Sequence, residues 1–227
     1  MTTVLFIVRH GESEANAEQQ LHGFSRSNKP NTDIELNSIG YEQAKTAGES
    51  LADHIADLNN INTDVNLISS PFIRASQTAE VIQRHLRVRW LTPNLTTDIL
   101  LSEQSCGLAD GNLQSIWKYC ERNFSENALR MAVGDMHYQP PRGESFMDVY
   151  VRSCLFLERK QWFSNRLANV VVSHKSTCLM LHGALTGELN LQDEWKNCEI
   201  RKYVINSTEK KATYVQIHGC YPGEIGF

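Results

Sequence analysis

The chain has 227 residues, 41% of them hydrophobic, which suits one α/β domain with a sizeable core extending over residues 1–227. Lys and Arg total 22 against 26 Asp and Glu, a formal net charge of −4 that argues against nonspecific attraction to nucleic acid or an anionic membrane, so any cationic site must be local. No apolar run nears the ~20 residues needed to cross a bilayer, Met1-Thr2-Thr3 enters a strand without a signal-peptide pattern, and the six cysteines (Cys106, Cys120, Cys154, Cys178, Cys198 and Cys220) form no Cys-x-x-Cys pair, so a cytoplasmic protein with reduced thiols is expected.

Val4-Leu5-Phe6-Ile7-Val8 reads as a fully buried strand, and Arg9-His10-Gly11-Glu12-Ser13-Glu14-Ala15-Asn16 reads as its exit turn. An Arg-His pair there sets a cation and an imidazole in the crevice where open α/β sheets bind ligands. Gly11 lets the backbone turn beside a bound group, so that amide N–H groups form a small anion nest, and Asn16 offers a neutral donor. By themselves Arg9 and His10 are ordinary polar residues ending a strand; other stretches change that reading.

Ala17 to Leu36 is polar and reads as a loop placed to cover a pocket, with turns at His22-Gly23 and Lys29-Pro30-Asn31. Asn37 is an N-cap, and Ala44, Ala47, Leu51 and Ile55 recur at helical spacing to about Leu58. Asp64 to Ser69 is the second strand. Ser70-Pro71 then reads as a cap with proline at the first helical position, opening a helix faced by Phe72, Ala75, Ala79, Ile82 and Leu86. Arg74 lies off that stripe in the first turn, from where it reaches the carboxyl end of the sheet.

Val88 to Leu91 is a short strand candidate, Leu100-Leu101-Ser102-Glu103 leads into the Gly-punctuated run Cys106 to Gly111, and a helix is expected around Ile116 to Met131. Ser145-Phe146-Met147-Asp148 resembles a capping box with Asp for Glu, and its helix faces the core with Phe146, Val149, Phe156 and Leu157. Ala168 to Ser173 is another buried strand ending at a histidine, His174, before a helix from about Ser176 to Leu185. Glu199 to Ile205 and Ala212 to Ile217 read as a hairpin at a sheet edge.

If the strands ending near His10, Ser69 and His174 are neighbours, then Arg9, His10, Arg74 and His174 converge above one sheet edge. Such a cationic cluster in an acidic protein calls for an anion, and guanidinium groups match phosphate oxygens with paired hydrogen bonds. Neighbouring cations favour neutral imidazole, the nucleophilic form, which makes His10 the candidate phosphoryl acceptor. The leaving oxygen then needs a proton, and a carboxyl beside a dianionic phosphate can hold one. Glu103 is the best placed carboxyl.

These residues resemble the histidine phosphatase superfamily, which includes cofactor-dependent phosphoglycerate mutases and fructose-2,6-bisphosphatases. Arg9-His10-Gly11-Glu12-Ser13 with Asn16 resembles its signature, Asp33 to Ala44 its next block, and Ser69 to Ala79 its Arg-bearing helix start. Glu103 stands ahead of Gly107 and Gly111 as the family's proton donor does, Pro141-Arg142-Gly143-Glu144-Ser145 is similar to a later block, and Val172-Ser173-His174 to the second histidine. The resemblance implies a three-layer α/β/α sandwich with a mostly parallel central sheet and an antiparallel edge. It implies that His10 becomes phosphorylated, that Arg9, Arg74 and His174 hold the phosphoryl group with help from Asn16, and that Glu103 is acid and later base. It implies neither metal nor cofactor; the expected partner is a small phosphorylated substrate, and a homodimer is compatible with it.

The sequence departs from the family at Lys175, where Gly usually follows the second histidine; a lysine there either narrows the pocket or contacts a second anionic group on the substrate. Asn37 stands where Thr is common, and either residue caps a helix. His22, with Gly23, is a candidate for the pocket rim, while His54, His85, His137, His182 and His218 lack a ligand spacing. Gln104 to Arg142 lacks the adjacent arginine pair of the glycolytic-type mutases, which favours phosphomonoester hydrolysis over mutase transfer. A phospho-ligand-binding protein without turnover is the alternative of a different class.

Overall fold

A computed structural model of the chain describes residues 2–22, 29–58, 63–107, 110, 135–159, 168–206 and 211–217. The strands are β1 (Thr2–Arg9), β2 (Asp64–Ser69), β3 (Thr92–Thr97), β4 (Ala168–Ser173), β5 (Ile200–Asn206) and β6 (Lys211–Ile217). The helices are α1 (Glu14–His22), α2 (Ser38–Ala56), α3 (Ile73–Val88), α4 (Phe146–Arg159) and α5 (Lys175–Thr186), with short 3₁₀ turns at Asn31–Asp33 and Ile99–Leu101.

The strands lie side by side as β3-β2-β4-β1-β5-β6. From β3 to β1 all neighbours are parallel, and β5 and β6 add an antiparallel edge. Strand alternation builds a layer of helices on each face. Val4, Phe6 and Val8 of β1 join Val170 and Val172 of β4 in a core shared with α2 and α3. Leu5, Ile7 and Val171 point the other way, into a core with Phe156 of α4 and Met180 of α5. Leu5, Phe6, Ile7 and Val8 are fully buried, each contributing roughly 1.5–3 kcal/mol. The sheet is therefore the middle of a three-layer α/β/α sandwich, as expected.

The expected caps form. Asn37 Oδ1 accepts from Gly40 N–H at 2.8 Å at the start of α2. Ser145 N–H donates to Asp148 Oδ2 at 2.8 Å while Asp148 N–H donates to Ser145 Oγ at 3.1 Å, a reciprocal box at the start of α4. The late hairpin pairs β5 with β6 from Ile200↔Ile217 to Asn206↔Lys211.

Three expectations are corrected. Val88 to Leu91 is not a strand: α3 runs on to Val88, Trp90 turns with φ of 61°, and the strand begins at Thr92. Val88 and Trp90 are exposed, so their apolar character marks a helix end and a turn. Ala17 to Leu36 is not all loop, because α1 extends from Glu14 to His22; Ser13 Oγ accepts from Asn16 N–H at 3.3 Å and starts it locally. Pro71 is not the first helical residue, since α3 starts at Ile73 after Phe72, and Ser70 Oγ accepts from Phe72 N–H at 3.3 Å, ahead of the helix and not from an amide within it. The helix expected around Ile116 to Met131 lies outside the described residues.

Candidate active site

The site lies where the carboxyl ends of β1, β4 and β2 are level. Arg9 is in register with Ser173 and Ser69 with Val172. Past the strand ends, His10 N–H donates to Ser173 O and Ser70 N–H to Val172 O, both at 2.9 Å. His10, His174 and Ser70 thus leave the sheet together, and the His10 and His174 ring centroids are 5.1 Å apart. β1 and β4 feed helices on opposite faces, and such a switch in an open sheet forms a crevice.

His10 is buried and its ring is fixed at both nitrogens. Nδ1 lies 2.7 Å from Gly11 O, and Arg74 Nε donates to Nε2 at 3.2 Å. A carbonyl can only accept and a guanidinium can only donate, so the network assigns the proton to Nδ1 and leaves a lone pair on Nε2. Burial, with the charges of Arg74 and Arg9, holds the His10 pKa well below the ordinary histidine value. His174 is shifted the same way by burial and by Arg74. Its Nε2 is 2.7 Å from Ser70 Oγ, its ring meets Phe72 edge-on at 5.0 Å, and its buried Nδ1 has no partner among the described residues.

The two arginines are anchored by backbone carbonyls. Arg9 donates through one terminal nitrogen to Trp195 O at 2.5 Å, and its buried Nε has no partner among the described residues. Arg74 donates to Asn31 O at 2.6 Å and lies 5.3 Å above the Phe72 ring centroid. Burial lowers the Arg74 pKa to about 10, opposed by Glu103, so the group remains charged at neutral pH. Arg9 is lowered by burial and likewise supported by Glu103. Glu103 accepts from Gln104 N–H at 2.9 Å through Oε1. A proton on this carboxyl would therefore sit on Oε2.

Arg74, His10 and His174 are thus brought together, with Arg9 beside them and the Glu103 carboxyl close enough for its charge to act on both arginines. The expected nest is corrected: Gly11 N–H donates to Thr78 Oγ1 at 3.1 Å and Glu12 N–H to Gln43 Oε1 at 2.8 Å, so neither amide is open to an anion. Gly11 is needed instead because a Cβ there would collide with the backbone of Gly40. Asn16 Oδ1 accepts from Ser13 N–H at 3.2 Å and from Asn197 Nδ2 at 3.2 Å, so any contact with a ligand runs through its amide nitrogen. Lys175 is exposed at the first position of α5, directly after His174. Gly23 and the side chain of His22 lie outside the described residues. Among the described residues no cluster of three or more His, Cys, Asp or Glu is arranged to hold a metal ion, and no helix is long and apolar enough to cross a membrane.

Two supports escape a reading of the sequence. Ser70 resembles a helix cap, and only the adjacency of β2 and β4 turns its hydroxyl to His174. Residues 195–199 also clasp the β1 exit: Cys198 N–H donates to Arg9 O at 3.1 Å, Asn197 Nδ2 to His10 O at 3.1 Å, and Arg9 N–H to Glu199 O at 3.2 Å. Arg201 secures that clasp by pairing with Glu199 and Asp193 while lying 4.0 Å above the Trp195 ring. The available signal was a charged pair, Arg201-Lys202, between Ile200 and Tyr203, of which strand alternation turns one toward a covered face.

The sequence profile of the histidine phosphatase superfamily (branch 1) matches residues 5–217. Fructose-2,6-bisphosphatase TIGAR B of Danio rerio is 32% identical over 158 residues, covering 70% of this chain and 53% of that protein. A 2,3-bisphosphoglycerate-dependent phosphoglycerate mutase of Arthrobacter sp. is 32% identical over 128 residues, covering 56% of this chain and 46% of that one. The match thus spans about half the length of these relatives. Among solved structures, the alpha-ribazole phosphatase of Shigella flexneri superposes with a TM-score of 0.66 at 20% identity, covering 94% of this chain and 95% of that one. Phosphoglycerate mutase of Bacillus anthracis superposes with a TM-score of 0.69 at 18% identity, covering 95% and 92%. At such identities these superpositions show the shared fold, while the profile match shows descent: the chain belongs to the histidine phosphatase superfamily.

Proposed function

We propose that the chain hydrolyses small phosphate monoesters through a phosphohistidine at His10. The observation that carries this reading is the His10 ring, with Nδ1–H held by Gly11 O and the Nε2 lone pair turned to Arg74. Arg9, Arg74 and His174 bind the phosphoryl oxygens, and the buried unpartnered nitrogens of Arg9 and His174 supply donors that an anion would satisfy. Nε2 attacks phosphorus, the bond from phosphorus to the ester oxygen breaks, and the leaving oxygen takes the Glu103 proton. Glu103, now a carboxylate, removes a proton from water as it attacks phosphorus; the N–P bond breaks and neutral His10 returns. Asn16 adds a donor through its amide. The absence of an adjacent arginine pair in Gln104 to Arg142 favours water over a returned substrate as the second acceptor.

Rapid quench with an aryl phosphate labelled at phosphorus tests the covalent step. Acid-labile, alkali-stable label on His10 is expected, and His10→Ala should lose both the label and at least about a thousandfold of kcat/KM. Unlabelled protein with unchanged turnover in His10→Ala would overturn the reading, and phosphoryl return to a phosphoglycerate in place of phosphate release would make the chain a mutase.

We also place a second anionic group of the substrate against Lys175, an exposed ammonium next to His174. The matched proteins are named for bisphosphates and phosphoglycerates, compounds that carry such a group. Lys175→Gly is expected to raise KM for a bisphosphate about tenfold, the size of one charge-assisted contact, and to leave KM for a simple monoester unchanged. Equal changes in both constants would remove Lys175 from the site.

A further inference from the structure

Glu103 lies on a short peptide whose neighbours on both sides are tied down by one ion pair. Glu144 and Arg152 meet side-on: Arg152 Nε donates to Glu144 Oε1 at 2.9 Å and a terminal nitrogen to Glu144 Oε2 at 3.3 Å, with side chains 30% and 12% exposed. On the amino side of Glu103, Arg152 donates to Leu100 O at 2.7 Å, and Thr177, itself 3.4 Å from Arg152, donates to Ser102 O at 2.5 Å. On the carboxyl side, Ser105 N–H donates to Glu144 Oε2 at 2.9 Å, Glu144 N–H to Ser105 O at 2.8 Å, and Gln104 Nε2 to Glu144 O at 2.8 Å.

The backbones touch as well. A Cβ on Gly143 would lie 2.5 Å from Ser105 O, and Gly107, at φ of 62°, lies against the Pro141 carbonyl. The box of Ser145 and Asp148 then fixes Glu144 to the start of α4. None of these groups hydrogen-bonds to His10; the Arg152 charge also reaches His174, so a substitution that keeps the charge isolates the route through Glu103.

We propose that the Glu144–Arg152 pair is a positioning device that holds Glu103 at the leaving oxygen. This rests on the reading of Glu103 as the acid. A proton donor works only within hydrogen-bond reach, and a misplacement of about 1 Å costs on the order of a hundredfold in rate. Arg152 suits the task because its planar fork binds both carboxylate oxygens of Glu144 and still reaches the Leu100 carbonyl; lysine cannot do this.

The leaving group separates positioning from mere stability. 4-Nitrophenolate departs without a proton, whereas an alkoxide needs one, and kcat/KM reports the step in which it departs. Glu144→Gln and Arg152→Lys are expected to lower kcat/KM for 2-phenylethyl phosphate about a hundredfold and for 4-nitrophenyl phosphate less than about threefold. Glu103→Gln sets the reference, with the same selectivity and a larger loss. Arg152→Lys, which keeps the charge, carries the test if Glu144→Gln does not fold by circular dichroism. Folded variants that lose both esters equally, or neither, overturn the positioning role while Glu103→Gln remains selective. If Glu103→Gln is itself unselective, Glu103 is not the acid and the positioning role falls with it.

Discussion

Gly40→Ala is expected to destabilise the protein by about 3 kcal/mol, although it places a better helix former inside α2. A Cβ on Gly40 would run into the backbone carbonyl of Glu12 and crowd the Glu12 amide, and these are main-chain atoms that cannot rotate away. The Glu12 segment is itself held, its carbonyl accepting from Asn37 N–H at 3.1 Å and its side chain from Asn37 Nδ2 at 2.7 Å. The propensity gain of about 1 kcal/mol is therefore outweighed by displacement of a packed backbone, which costs several. Gly183→Ala in α5 is the comparison. Its Cβ would meet Leu189 Cδ1 at 2.7 Å, the end of a side chain that can rotate, so a change within about 1 kcal/mol is expected. Urea unfolding of both variants measures the contrast. Because the Glu12 peptide follows His10, the residual folded Gly40→Ala protein should also lose activity. Equal stabilities for the two variants would show that α2 is free to move off the β1 exit.

The second large effect is a loss of stability on mild acidification. His10 and His174 are held below the ordinary histidine value first by burial and then by Arg74, with Arg9 adding to both. Above pH ~6.5 both are neutral in the folded and unfolded chains and contribute no pH dependence. Below it the unfolded chain takes up protons that the folded chain refuses, so folding stability falls as pH falls from the unfolded value toward the depressed folded values. Each such group contributes a slope of about 1.4 kcal/mol per pH unit, hence about 2.7 for the pair. His182, buried and 2.8 Å from Tyr203 Oη, is lowered by burial and by Arg201 and acts in the same direction. Unfolding free energies should change little from histidine above pH ~6.5 and approach this slope below it, toward pH ~5, and His174→Gln should lower the slope by about 1.4 kcal/mol per unit. Asp148, whose carboxyl is lowered by its bonds to Ser145, acts only at more acid pH and does not confuse the window. A flat profile across this range would mean that the two rings protonate freely in the folded protein. The same shift keeps His10, the proposed nucleophile, neutral in mild acid, where an ordinary histidine gains charge.

Other features of the site depend on where strands lie relative to one another. Ser70 meets His174 because β2 and β4 are adjacent, and the 195–199 clasp reaches Arg9 and His10 because β5 pairs with β1 in reverse. Neither contact has a signature in local spacing. Gly11 illustrates the difference in kind: a glycine after a strand was legible, but its N–H belongs to Thr78 and its missing Cβ makes room for Gly40. Glu144 was visible only as part of the Pro141 to Ser145 block and Arg152 was not singled out, until the Glu103 peptide was seen between their contacts.

Sequence by itself determined the local elements that have a strong physical period or a cap. The apolar runs of β1 and β4 could satisfy their side chains only in a sheet covered on both faces, Asn37 and Ser145 had backbone donors within three residues, and Arg9, His10, Arg74 and His174 followed from the ends of those elements. Tertiary structure alone decided which hydrogen bonds the strand-end groups make, because those partners come from segments far apart in the chain. Short-range energetics chose helix or strand; only the order β3-β2-β4-β1-β5-β6 chose what His10 faces.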